Sequence, residues 1–322
     1  MIHVTLPDHT PRPLPFYLAM EEFLAARDND DYFFMWQVEP TVIIGRNQHI
    51  LTEVNLSYCK EHGIDVVRRK SGGGCVYADM NNVMFSYITT SDTVTTTFSR
   101  YTGMVADMLC RLGIDAHAGG RNDIMIGERK VSGNAFYHKR HRAILHGTML
   151  YDTDLSAMLK AITPSHVKLT SKGVESVRSR VINIKEVSDI SLTEFKESAA
   201  SILCDSQIEL TPDDIRAIQE IELTYRDPRW LNGNSPKATS TSSRHIDGVG
   251  QLDISLSLRA DVIEDIDIMG DFFLLSDIDT MILDRLRGVR YTRQEIEKAM
   301  TGIDTSAVIA GLSTQQFIET II

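Results

Sequence analysis

Asp123-Ile124-Met125-Ile126-Gly127-Glu128-Arg129-Lys130-Val131-Ser132-Gly133-Asn134-Ala135-Phe136-Tyr137 decides the fold class. Two runs, Asp123–Ile126 and Lys130–Tyr137, flank Gly127-Glu128-Arg129, a hairpin turn. Arg142–Tyr151 continues the same sheet. Antiparallel hairpins set among helices predict an α+β architecture with a mixed or antiparallel sheet, not a doubly wound parallel one. Strict alternation from Lys130 would put Lys130, Ser132 and Asn134 on one face, beside the small Gly133 and Ala135. Such a row suits a solvated face or the wall of a cleft centred on Lys130, and spacing alone does not choose.

Upstream, Phe16, Met20, Phe23, Leu24 and Arg27 fall at helical spacing over residues 16–27, with Pro15 at the start. Strands are expected at Tyr32–Val38, Thr41–Ile44, Ile64–Arg69, Val83–Thr89 and Ile114–His117, and helices at Asn55–His62, Tyr101–Leu112 and Asp154–Ile162. The strand at Ile64–Arg69 runs into Arg69-Lys70-Ser71-Gly72-Gly73-Gly74-Cys75-Val76-Tyr77. Three bare glycines let the backbone reach positive φ and let another group approach its N–H groups closely. With Arg68 and Arg69 before it and Val76 and Tyr77 after, this loop suits a ligand with an anionic end and an apolar body. Alone, a glycine triplet more often marks a flexible surface loop.

Charge is unevenly placed. The chain of 322 residues carries −11 overall, which argues against general nucleic-acid binding. Segments 68–70, 121–142 and 168–185 nevertheless hold 14 of the 33 Lys and Arg against three acids, Asp123, Glu128 and Glu175. Converging in the fold, they would form a positive pocket for a compact anion; apart, they are three solvated runs. No apolar run approaches the ~18 residues of a membrane span, and the start lacks the pattern of a signal peptide. Cys59, Cys75, Cys110 and Cys204 are scattered without a C-x-x-C pair, so a zinc site or disulfide framework is not expected and a reducing cytoplasm fits.

Downstream, helices are expected at Leu192–Cys204 and Pro212–Leu223, and a polar stretch at 231–243 reads as a connector. Paired strands at Gly250–Leu258 and Asp261–Ile268 follow, then helices at Ile278–Leu286, Thr292–Met300 and Ser313–Ile321. The division expected is a catalytic domain over 1–235, a linker at 236–243 and a small α/β accessory domain over 244–322.

Six ordered stretches then stand together. They are Val42-Ile43-Ile44-Gly45-Arg46-Asn47-Gln48, Arg68-Arg69-Lys70-Ser71-Gly72-Gly73-Gly74, Gly120-Arg121-Asn122-Asp123, Lys130-Val131-Ser132-Gly133-Asn134-Ala135, His146-Gly147-Thr148, and Lys172-Gly173-Val174-Glu175-Ser176-Val177-Arg178-Ser179-Arg180-Val181. In this order, beginning near Glu21-Glu22, they resemble the lipoate–protein ligase family over roughly residues 15–190. The trailing domain is similar to the accessory domain of the two-domain ligases in size and placement.

The resemblance implies the catalytic fold shared with biotin ligases and class II aminoacyl-tRNA synthetases. It implies two reactions: lipoate and ATP give lipoyl-adenylate and pyrophosphate, and a lysine of an acceptor then takes the lipoyl group and releases AMP. The acceptors implied are lipoyl domains of 2-oxoacid dehydrogenase complexes or the glycine-cleavage H protein. Lys130 would bridge the carboxyl oxygen and the α-phosphate, and Arg69 would hold phosphate. Gly74, Cys75, Val76 and Tyr77 would contact the adenylate through backbone N–H groups. Lys172, Arg178 and Arg180 would belong to a loop closing over it and excluding water. Ser71, Gly72, Gly73, Gly133 and His146, with Lys130, would border lipoate. Mg²⁺ is expected with ATP, Asp123 being the nearest acidic candidate, and no tightly bound cofactor is expected.

Some positions depart from the family pattern. The usual His-Asp-x-Gly-Asn reads Ala78-Asp79-Met80-Asn81-Asn82, and Leu145 stands where a second histidine often precedes His146. The nearest rival is an octanoyl- or lipoyl-transferase on the same fold, which needs a cysteine thiolate; Cys75 is the one plausible substitute. A biotin ligase fits the motifs less well. A catalytically reduced lipoyl-domain-binding homologue would bind acceptor without releasing AMP.

Overall fold

The computed structural model describes residues 1–8, 10–27, 30–90, 93–120, 122–139, 141–162, 179–232 and 239–322. One unit comprises Met1–Ile44, Ile50–Arg69 and Cys75–Leu231. Its strands are β1 (Ile2–Thr5), β2 (Tyr32–Trp36), β3 (Thr41–Ile44), β4 (Asp65–Arg68), β5 (Val76–Ala78), β6 (Asn82–Thr90), β7 (Ala116–Gly119), β8 (Asp123–Ile126), β9 (Arg129–Lys139), β10 (Arg142–Leu150) and β11 (Ser206–Glu209). Eight form a sheet in the order β11-β1-β2-β6-β10-β9-β8-β7, and β4-β3-β5 form a second. The mixed α+β class is as expected. The antiparallel hairpin series runs from β2 to β7, while β1 pairs in parallel with β2 and β11, and β3 with β4. Ile2–Thr5 and Ser206–Glu209 went unread because four-residue strands at a sheet margin carry too little alternation to register.

β6 and β10 pair over nine residues, nearly all buried, because both faces of this part of the sheet are covered. On one face lies the helix Leu14–Arg27, eleven of whose fourteen residues are buried, so its Glu21 and Glu22 carboxylates must find partners inside. On the other, Phe33 meets Phe85 edge-on at 5.1 Å and Phe85 stacks on Phe195 at 6.2 Å. β3 is buried on both faces. Ile43 joins the cluster around Leu18 and Trp36, while Val42 and Ile44 join a separate one with Ile50, Cys59 and Tyr77. The helix Val94–Arg111 begins seven residues before its expected start. Its first turn, Val94-Thr95-Thr96-Thr97, is β-branched throughout and reads poorly as helix. Thr93 caps it by accepting from the Thr96 N–H, and Thr97 Oγ1 donates to the Thr93 carbonyl at 2.9 Å.

The other unit gathers Asn232–Ile322 with Gly45–His49 and Lys70–Gly74. β12 (Ser240–Ile246), β13 (Gly250–Arg259) and β14 (Val262–Gly270) form an antiparallel meander. Ala260 and Asp261, with φ of 49° and 61°, make the tight β13–β14 turn. Leu252, Ile254, Ile266 and Ile268 pack with Ile282, Leu286 and Phe317 into its core. The connector expected at 236–243 needs correcting at its C-terminal end, because Ser240–Ser243 pair with β13 as an edge strand. Small polar residues suit an edge strand and look like linker in sequence. Within this unit the glycine triplet serves a close backbone crossing. Gly73 N–H donates to the Phe272 carbonyl at 3.2 Å, and a Cβ on Gly72 would lie 2.3 Å from that same oxygen. The loop at Gly45–His49 joins in: Arg46 N–H donates to Ser71, and Gly270 N–H donates to Asn47.

Candidate active site

A β-bulge sets the site. β8 and β9 pair as Ile124↔Ser132 and then Met125↔Lys130, so Val131 is an extra residue on β9. The extra residue breaks the alternation. Lys130 does not share a face with Ser132 and Asn134, as strict period two required. A Cβ on Gly133 would lie 2.5 Å from Lys130 Cε and 2.6 Å from its Nζ, so the lysine lies over Gly133. Gly133 and Ala135 share that face of β9, and Ala135 is directly opposite His146 on β10. The bulge thus turns Lys130 to the His146 face, which is also the face covered by the helix carrying Glu21. The ammonium stands 2.8 Å from Asp123 Oδ1 and remains about one-third exposed. That contact is an ion pair without hydrogen-bond alignment, since Asp123 Oδ1 has no hydrogen-bond partner. The backbone is held as well: Lys130 N–H donates to the Arg180 carbonyl at 2.7 Å, and Ile182 N–H donates to Lys130 at 3.0 Å.

The opposite face of β9 is locked by amides. Asn134 Nδ2 donates to the Asn122 carbonyl at 2.9 Å while Asn122 Nδ2 donates to the Asn134 carbonyl. A Cβ on Gly147 would lie 1.8 Å from Asn134 Oδ1, so Gly147 leaves the space that side chain fills. Gly133 N–H also reaches Thr148 Oγ1 at 3.4 Å.

A buried polar chain runs beneath the site. Trp36 Nε1 donates to Ser86 Oγ at 2.8 Å, Ser86 Oγ donates to Glu21 Oε1 at 2.6 Å, and Glu21 Oε2 lies 2.9 Å from His146 Nδ1. Ser86 and His146 are directly opposite on β6 and β10, so one helical carboxylate reaches both. Glu21 is wholly buried and His146 nearly so. Glu21→Gln keeps the shape but removes the charge and gives one side of the amide to donors. It is expected to cost about 2 kcal/mol of stability, the worth of a charge-assisted buried hydrogen bond. Urea unfolding checks this, and an unchanged midpoint would remove the carboxylate from the chain.

Arg69 is buried at the end of β4's run. Its Nη1 donates to the Ile43 carbonyl at 3.2 Å, and its N–H donates to Ile44. Burial, reinforced by the neighbouring Arg68 charge, lowers its pKa to about 10, which still leaves it cationic at neutral pH. Cys75 is the opposite case. Burial, then the Glu53 carboxylate, pushes its thiol up to about 12, so it stays protonated.

With these positions in place the comparisons decide the family. The family model for the lipoyl protein ligase A/B catalytic domain matches residues 14–203, and that for the bacterial lipoate protein ligase C-terminus matches 235–321. The chain belongs to the lipoate–protein ligase family. It is 34% identical to a lipoate-protein ligase of Bacillus subtilis over 94% of this chain and 95% of that one. Among solved structures, the bipartite lipoate protein ligase of Thermoplasma acidophilum, studied with its E2 lipoyl domain, superposes at TM-score 0.66 and 28% identity, covering 74% of this chain and 98% of that one. A lipoate-protein ligase A bound with ATP matches at TM-score 0.63 and 26% identity, covering 72% of this chain and 98% of that one.

The departures from the lipoate–protein ligase pattern have local explanations. Asn81 is not among the residues with positive φ, so its turn needs no glycine. Asp79 builds that turn, accepting from Asn81 N–H at 2.9 Å and from Asp154 N–H at 3.0 Å. Ala78 is fully buried in the main core, where a histidine would have to be accommodated. Of the expected site residues, Arg69, Lys130, Asp123, Gly133, His146, Cys75, Val76 and Tyr77 lie in the first unit, and Ser71, Gly72, Gly73 and Gly74 in the second. Lys172 and Arg178 lie outside the described residues, as does Arg121. Arg180 is exposed, at the point where its segment pairs with Lys130. Sequence reading gave no role to Glu21, Ser86 or Val131. A Glu pair inside an otherwise apolar helix was the available signal for the first.

Proposed function

We propose that this protein activates lipoate with ATP and transfers the lipoyl group to a lysine of an acceptor lipoyl domain. The observation that carries the reading is the bulge at Val131, which aims a preorganised ammonium, Lys130, into the site face of a lipoate–protein ligase fold. In the first step a lipoate carboxylate oxygen attacks the α-phosphorus and pyrophosphate leaves. Negative charge gathers where carboxylate and phosphate meet, and Lys130 and Arg69 would stabilise it. In the second step the acceptor amine attacks the acyl carbonyl of the mixed anhydride, loses a proton, and AMP departs. Gly74, Cys75, Val76 and Tyr77 would serve the adenylate by their backbone, and Ser71, Gly72, Gly73, Gly133 and His146 would border lipoate. Lys172, Arg178 and Arg180 would shield the anhydride from water. The catalytic part would span residues 1–235 and the accessory part would begin with β12 at Ser240.

Mg²⁺ would arrive with ATP. No group of three or more metal-ligating side chains occurs among the described residues. That fits an ion held chiefly by phosphates and water with one protein carboxylate, and Asp123 is the carboxylate beside Lys130. The ion would screen the polyphosphate. The acceptors would be lipoyl domains of 2-oxoacid dehydrogenase complexes or the glycine-cleavage H protein. No described helix is long and apolar enough to cross a membrane.

The deciding measurement is ATP–pyrophosphate exchange with lipoate, biotin and octanoate in turn. Exchange is expected with lipoate, and its absence would overturn the ligase reading. Cys75→Ser separates the reading from the thiolate transferase. Since a thiol held near 12 is no nucleophile at neutral pH, the variant should keep exchange and transfer within about twofold. Loss of turnover in a folded Cys75→Ser protein would favour the acyl-enzyme route.

A further inference from the structure

β1 and β2 do not stay together. They pair only at Ile2↔Tyr32 and His3↔Phe33, while β1 follows β11 over four residues. Beyond His3 the sheet splays, and a cleft of about 750 Å³ opens between the two strands under the helix Leu192–Leu203. Thr193, Lys196, Ala200 and Cys204 recur at helical spacing along it, and the small Ala200 leaves its middle open. Leu6 and Met35 are its partly exposed apolar lining, and Met20 and Phe34 beside it are buried. The cleft lies toward the β11 edge, three to four strand spacings from Lys130, or roughly 15–20 Å.

Lys196 is the cation of this cleft. Its Nζ donates to Gln37 Oε1 at 2.9 Å, and no described carboxylate lies within ion-pair distance of it. Burial lowers its pKa, the mark of an ammonium short of counter-charge. Of the acids lining the cleft, Asp8 pairs with Arg12 at 2.8 Å and Asp205 with the chain's amino group at 2.5 Å, while Glu197 is exposed. One under-neutralised ammonium in a cleft that also exposes Leu6 and Met35 suits one negative charge on a hydrocarbon body. The surrounding acids would repel a polyanion such as a nucleotide.

We propose that the cleft between β1 and β2 is a second ligand site, taking a medium-chain monocarboxylate with its carboxylate on Lys196 and its chain against Leu6 and Met35. A volume of this size is ample for such a ligand. The site is independent of the acyl site of the proposed reaction, and its test has its own readout.

Equilibrium dialysis of the full chain against labelled decanoate, with decanol and decyltrimethylammonium as competitors, tests it. Two decanoates are expected per wild-type chain if the acyl site also takes one, and one if it does not. Lys196→Gln should weaken the cleft event at least tenfold, and Ala200→Phe, which fills the slot, should abolish it. Neither change should alter lipoate-dependent exchange by more than about twofold. The cationic competitor should not displace decanoate, and decanol should do so at least tenfold less well than unlabelled decanoate. Unchanged stoichiometry and affinity in both folded variants overturns the proposal, as does displacement by the cation. Failure of the exchange assay alone would strike the ligase reading and leave this site standing.

Discussion

Lys130→Ala is expected to slow lipoate-dependent ATP–pyrophosphate exchange by on the order of a hundredfold or more, the scale of removing one preorganised charge stabiliser. The ammonium is already aimed: it lies over Gly133, 2.8 Å from Asp123, with its backbone clamped to Arg180 and Ile182. Removing it does more than delete a cation. Asp123, its ion-pair partner at 2.8 Å, stays behind without that cation. Lys130→Arg keeps the charge but brings a planar, bulkier head over Gly133 and should recover less than a tenth of wild-type exchange. The protein should fold normally, because Lys130 is partly exposed. Exchange within threefold of wild type in Lys130→Ala would remove this residue from the chemistry.

Much of this could be read from residues alone. The hairpin at Asp123–Tyr137, its long partner at Arg142–Leu150 and the C-terminal β13–β14 pair follow from alternation and turn residues. Alternation also misled, and for a physical reason. Period two assumes one residue opposite one, and the unpaired Val131 leaves no trace in composition. Strict alternation therefore puts Lys130 on the wrong face of β9. The parallel strands at β1 and β11 need partners about 200 residues apart, so nothing local announces them. The glycine triplet was legible as a place of close backbone approach, but not what approaches. In this fold the Phe272 carbonyl comes within 3.2 Å of Gly73 N. Glu21 was legible only as an acid in an apolar helix, and its partners Ser86 and His146 come from strands far along the chain.

Gly133→Ala carries the other large effect, and it tests the geometry instead of the charge. The new methyl would sit 2.5 Å from Lys130 Cε and 2.6 Å from Nζ, too close for any real contact. The obstructing atoms are the far end of a flexible side chain, so the backbone need not move. Lys130 must swing away, and its ammonium leaves Asp123 by an ångström or more. Misplacement on that scale costs roughly a hundredfold in a reaction that depends on aligned charges. Stability should change little, since the site is half-exposed and Gly133 lies outside the left-handed region of φ. Lipoate-dependent exchange in Gly133→Ala should thus approach that of Lys130→Ala, with an unfolding midpoint close to wild type. The double variant Gly133→Ala/Lys130→Ala supplies the coupling: once the lysine is gone the methyl has nothing to displace, so the second change should add almost nothing. Full additivity of the two losses would mean that Gly133 acts on substrate directly and that the bulge does not work through Lys130.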